Sequence, residues 1–131
     1  VGRVEVIVID THVMVWWTMD TPRQLSTAAR RSLINADVVA FSAVSLWEVG
    51  VLARRGRIDL KIHDWLPKVT GVYSLVVLPV TLDVAVRAAE FHEVLRDPID
   101  CLIAATALAH NAPLITKDDR IRTSGVVETI W

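Results

Sequence analysis

Val4 to Ile9 is a short, nearly continuous β-branched run that ends on a carboxylate, Asp10. Successive side chains of a strand point to opposite faces, so a strand apolar on both faces has to be covered on both sides. That condition belongs to a parallel sheet lying between helices. The rest of the chain alternates in the same sense. Helices are expected from Thr11 to Trp17, from a Ser26 cap to Asn35, and from a Ser42 cap to Arg55, where Gly56 stops the last of them. A helix from His63 to Val69 is expected to be interrupted near Pro67. Another opens at Thr81 or Asp83 and reaches Leu95, and a nearly all-apolar one runs from Pro98 to His110 behind Asp97 as its cap. Between them, strands are expected at Asp37 to Phe41, Leu75 to Leu78, Pro113 to Thr116 and Val126 to Thr129. The expectation is one α/β domain over residues 1–131, with a central, mainly parallel sheet of four to five strands.

Acids recur where apolar segments end or break: Asp10 in IVIDTH, Glu48 in SLWEVG, Asp100 in RDPIDCL and Asp118 in ITKDD. A charge beside a core needs compensation. In open α/β sheets, ligands bind outside the carboxyl ends of the strands. Asp10 follows the first strand and Asp118 the fourth, while Glu48 and Asp100 ride on helices entering from the same edge, so the four acids are expected to converge. Glu48 is expected to point with an apolar stripe of Val44, Trp47, Val51 and Leu52. Clustered carboxylates cannot all stay ionised without a counter-ion, and Mg²⁺ or Mn²⁺ is the cofactor that oxygen donors suit. The chemistry expected of such a centre is phosphodiester hydrolysis by an activated water. Asp10 is given bridging duty and Asp100 direct or water-mediated ligation. Glu48 and Asp118 are assigned to a second ion or its waters.

Every one of these acids also has a plain structural explanation. Asp10, Asp97 and Asp118 suit helix caps, and Asp100 sits where an acid favours the helix dipole. Glu48 could pair with a buried arginine. Asp119 rivals Asp118 as the fourth acid. Thr11 and Thr116 offer hydroxyls beside the acids, for orienting a carboxylate or for ordinary capping.

The charge balance is −1 with a pI near 6.5, unlike a generally basic nucleic-acid binder. Local basicity exists in Arg54, Arg55, Arg57 and Lys61, and in Lys117, Arg120 and Arg122. Arg54, Arg55, Arg57 and Lys117 are the candidate phosphate contacts. His12, His63, His92 and His110 form no zinc pattern and are read as structural. The tryptophans are read as core or interface rather than base-stacking. Cys101, the sole cysteine, permits no internal disulfide and reads as a small buried hydrophobe. With no signal-peptide pattern and no membrane span, the expected compartment is a reducing cytoplasm. The hydrophobic fraction of 53% exceeds what a core alone needs and is compatible with a subunit or partner surface.

Three segments together, IVIDTHVMVWW, SAVSLWEVGVLARRGRIDL and LRDPIDCLIAATALAHNAPLITKDDRI, resemble the motifs of PIN-domain proteins. The likeness is greatest to VapC-type toxins of bacterial toxin–antitoxin pairs, and it spans essentially the whole chain in order. It implies an α/β/α sandwich and a Mg²⁺- or Mn²⁺-dependent endoribonuclease whose acids fall on Asp10, Glu48, Asp100 and Asp118. It also implies a homodimer held inactive by a cognate antitoxin, with operator DNA bound only through the antitoxin. Where the family often carries a histidine and an arginine around the DPxD motif, this chain has Leu95 before Arg96 and Cys101 after Asp100. Two other functions compete. A phosphoacceptor domain using Asp10 lacks the further acids such a site needs. A non-catalytic interaction module is argued against by the retention of all four acids.

Overall fold

The computed structural model describes residues 3–19 and 21–131. Its five strands are β1 (Val6–Ile9), β2 (Val38–Ser42), β3 (Val76–Leu78), β4 (Leu114–Ile115) and β5 (Thr129–Ile130). They form a single sheet in the order β3-β2-β1-β4-β5, every neighbouring pair parallel. The helices are α1 (Thr11–Thr18), α2 (Thr27–Asn35), α3 (Ala43–Arg54), α4 (Ile62–Pro67), α5 (Leu82–Glu90), α6 (His92–Leu95), α7 (Pro98–Ala109) and α8 (Asp119–Ser124).

Side-chain alternation along β1 divides the core. Ile7 and Ile9 pack with Val13, Met14, Phe41, Val49 and Trp65 on one face. Val8 packs on the other with Val84, Ile103, Ala104, Leu114 and Ile121. All three strand residues are completely buried, as the β-branched run requires. Helices therefore cover both faces, giving the expected α/β/α sandwich. Helix α7 is apolar all round because it is central: Cys101, Ile103, Ala104, Ala105, Thr106 and Ala107 are buried within it. No helix among the described residues is long and apolar enough to cross a membrane.

Several elements differ in detail from expectation. The first strand begins at Val6 rather than Val4, which is 69% exposed. The expected helix from Thr81 to Leu95 breaks at Phe91, which ends α5 and opens α6. Thr81 caps it, its Oγ1 accepting from the Val84 amide. Pro67 ends α4 rather than interrupting it, and the chain continues as one wide π-helical turn, Lys68–Val72. The last strand lies at Thr129–Ile130 instead of Val126 to Thr129. Helix α3 does not turn its Val44–Trp47–Val51–Leu52 stripe fully inward. Its buried positions are Ser45 and Val49, and Trp47 is 61% exposed. The reason is polar: Ser45 Oγ accepts a 2.9 Å hydrogen bond from the Thr11 hydroxyl, which fixes the helix rotation against α1.

Candidate functional site

The chain enters the sheet at its centre, moves outward through β2 and β3, then returns to the other side of β1 with β4. Between β1 and β4 the strand order reverses, and the crevice left at their carboxyl ends is where such sheets take ligands. An open cleft of about 390 Å³ lies there, and its lining includes Asp10, Glu48, Asp97, Asp100, Lys117 and Asp118. His12, Val13, Trp16 and Arg120 complete it.

Three of these acids are held by helix N-termini. Asp10 caps α1: its Oδ1 accepts from the Thr11 amide at 2.7 Å. Its Oδ2 accepts from the Thr116 hydroxyl at 2.7 Å. Thr116 Oγ1 in turn accepts from the Asp118 amide at 3.1 Å, so one hydroxyl joins the ends of β1 and β4. Asp97 caps α7 through the Ile99 and Asp100 amides. Asp118 caps α8 through the Arg120 amide. Asp100 belongs to the first turn of α7, and Glu48 lies midway along α3, half-buried. Asp119, the rival fourth acid, lies outside the cleft and pairs with Arg122 at 3.2 Å.

Electrostatics follow from this crowding. Burial pushes Asp10 above the ordinary carboxylate range; the hydrogen bonds from Thr116 and Thr11 and the charge of His12 oppose it, while Asp118 adds to it. Asp100 is pushed up to about 7 by burial and by the neighbouring charges of Asp97, Asp10 and Asp118. Burial acts upward on Asp118 as well, but hydrogen bonds and charge from Arg120 outweigh it, and the group lies below its usual value. The Cys101 thiol, next to Asp100, is raised by burial and by the charges of Asp100 and Asp97, so it is no thiolate nucleophile.

An all-oxygen donor set of this kind suits a hard divalent cation. Among the described residues, no three His, Cys, Asp or Glu side chains stand close enough together to hold an ion as placed. Instead the Arg120 guanidinium lies between Asp100 and Asp118, at 3.5 and 3.2 Å. The donor chemistry fits, with a positive charge already where the carboxylates need one. Ligation by both acids requires that they close in.

Other expected contacts separate. Lys117 lines the cleft and its ammonium lies 5.9 Å from the Trp16 ring centre. Arg54, Arg55 and Arg57 are exposed near the far end of α3 and do not line it. Sequence reasoning passed over His12 and Trp16 as site residues. They stand one helical turn apart on α1, rings 5.8 Å apart, and Trp16 also contacts Trp131. Their i, i+4 spacing was the signal that places the two on one face of α1.

The family model for the PIN domain matches residues 7–125. The protein named Ribonuclease VapC22, from Mycobacterium tuberculosis, is 37% identical over 120 residues, spanning 89% of this chain and 90% of its own length. Among solved structures, the chain is similar to VapBC2 from Rickettsia felis bound to a DNA fragment from its promoter. That likeness has a TM-score of 0.70 at 17% identity and covers 95% of this chain and 96% of the other, and it bears on fold alone. VapBC-5 from M. tuberculosis, of the VapBC family of toxin–antitoxin systems, matches at 25% identity with a TM-score of 0.59, over 95% of this chain and 96% of that one.

Proposed function

The chain belongs to the PIN-domain family, and from that premise we propose that it is a divalent-metal-dependent endoribonuclease, the toxin of a toxin–antitoxin pair. The observation that carries the proposal is the convergence of Asp10, Glu48, Asp100 and Asp118 on one cleft, at the reversal point of the sheet. The relative named a ribonuclease supports the choice of RNA as substrate.

In this reading Asp10, Glu48, Asp100 and Asp118 hold Mg²⁺ or Mn²⁺. Such an ion, when bound, polarises the phosphate and lowers the pKa of water at the site. The chain's own residues do the rest. Thr116 and the Thr11 amide orient the two oxygens of Asp10. Asp97 holds the first turn of α7 and so aims Asp100. Lys117 at the rim offers a cation to the RNA backbone, and the Trp16 face beside it offers a stacking surface for a base. In-line attack by water on the phosphorus leaves a 5′-phosphate and a 3′-hydroxyl and makes no use of the 2′-hydroxyl. The similarity to VapBC-5, of a family of toxin–antitoxin systems, supports a cognate antitoxin as partner, and the proposal has operator DNA contacted only through that antitoxin. A homodimer and a cytoplasmic location complete the proposal.

The test is cleavage of total cellular RNA by purified, antitoxin-free protein with Mg²⁺, with Mn²⁺ and with chelator, beside Asp10→Ala. Discrete metal-dependent products absent from the variant are expected. Products that persist in chelator, or full activity in Asp10→Ala, would overturn the assignment.

A further inference from the structure

Arg120 lies in the first turn of α8, two residues after its cap Asp118. Its Nη2 stands 3.2 Å from Asp118 Oδ2 and 3.5 Å from Asp100 Oδ2, and its Nε stands 3.4 Å from Asp118 Oδ1. The two carboxylates come from different helix N-termini and are 13% and 27% exposed, whereas the arginine side chain is 69% exposed. A cation reaching in from the solvent side thus ties together two walls of the cleft. An ion ligated by both acids needs the same oxygen lone pairs. We infer that Arg120 is a built-in counter-ion that competes with the divalent cation for Asp100 and Asp118 and thereby sets the metal affinity of the centre. The inference rests on the metal-centre reading proposed above.

The competitor is suited to displacement. The arginine side of each pair is exposed to solvent, which weakens the pairing and lets it yield to a better partner. Their geometry is nevertheless specific: the planar guanidinium presents several N–H groups in a fixed fork, which the single ammonium of lysine does not reproduce. Without metal, the fork keeps Asp100 and Asp118 from repelling each other. With metal, it is released toward solvent at the mouth of the cleft.

The experiment is calorimetric titration of Mn²⁺ into RNA-free protein for the wild type, Arg120→Gln and Arg120→Lys, with thermal unfolding of each in the absence and presence of Mn²⁺. Arg120→Gln is expected to bind Mn²⁺ about two- to fivefold more tightly, the scale set by exposed ion pairs. Arg120→Lys should fall between it and the wild type. Mn²⁺ should raise the unfolding midpoint of Arg120→Gln by more than it raises that of the wild type. Equal or weaker Mn²⁺ binding by a folded Arg120→Gln overturns the inference and leaves the metal centre standing. An Arg120→Lys indistinguishable from wild type also overturns it, since a general field of positive charge then explains the effect. Absence of Mn²⁺ binding in all three folded proteins overturns the metal reading, and the inference falls with it.

Discussion

Asp10 is held by both of its oxygens, one on a backbone amide and one on a hydroxyl from the far side of the chain. It is 9% exposed, so either partner is hard for water to replace. Thr116→Val keeps the shape of the side chain and removes the hydroxyl. It should cost about 1–3 kcal/mol of stability, the usual penalty for orphaning a buried polar group, as read by denaturant unfolding. The same variant should weaken Mn²⁺ binding, because a carboxylate that loses a donor grips its proton harder. Thr116→Ser should recover most of both, and a Thr116→Val protein with unchanged stability and unchanged Mn²⁺ affinity would show the hydroxyl to be incidental. Asp10, Asp97 and Asp118 had each been open to reading as caps or as site residues. All three cap helices and all three line the cleft, so the two readings were never exclusive.

At the scale of elements, α7 aims Asp100 and depends on its own cap to do so. Asp97→Ala removes the acceptor for the Ile99 and Asp100 amides and should destabilise the protein by about 1 kcal/mol. Asp97→Asn keeps a capping oxygen and removes the charge, so it should retain stability and lower the proton affinity of Asp100, which NMR titration of the carboxyl measures directly. A titration midpoint for Asp100 that does not move in Asp97→Asn would remove Asp97 from the electrostatics of the cleft. Elements whose character lies in composition were legible: the β-branched β1, the all-apolar α7, the Ser26 and Ser42 caps. Elements decided by tertiary contact were not. The rotation of α3 follows from the Thr11–Ser45 hydrogen bond between residues 34 apart in sequence. The break at Phe91 leaves no proline or glycine to announce it. The length of α3 past Glu48, which carries Arg54, Arg55 and Arg57 beyond the cleft, was by contrast legible from the Ser42 cap and the Gly56 stop, although charge patterning alone does not encode it.

Across the whole molecule, the cleft gathers negative charge where two layers meet, and stability should carry the mark of it. The Asp100 carboxyl titrates near 3.8 in an unfolded chain and about 7 in the folded one. Between those values the folded state holds the extra proton, so its contribution to stability is full below about pH 4 and is lost as pH rises to about 7. Asp10 acts in the same direction, while Asp118, held below its ordinary value, acts only at more acid pH. Metal-free protein should therefore melt at a lower temperature at pH 8 than at pH 5, and Mg²⁺ or Mn²⁺ should restore more of the loss at pH 8. A midpoint that climbs steadily from pH 5 to pH 8 without metal would contradict the folded-state pattern. The strand order carries a further consequence, one of timing. The central strand β1 is made before the other four and its second neighbour, β4, only after β2 and β3; the Asp10–Thr116 hydrogen bond joins residues 106 apart. A ribosome thus releases Asp10 and Glu48 long before Asp100 and Asp118 exist to join them. In the proposed reading the four acids gather only once Asp118 has been made, so a nascent chain that stops short of it lacks part of the centre.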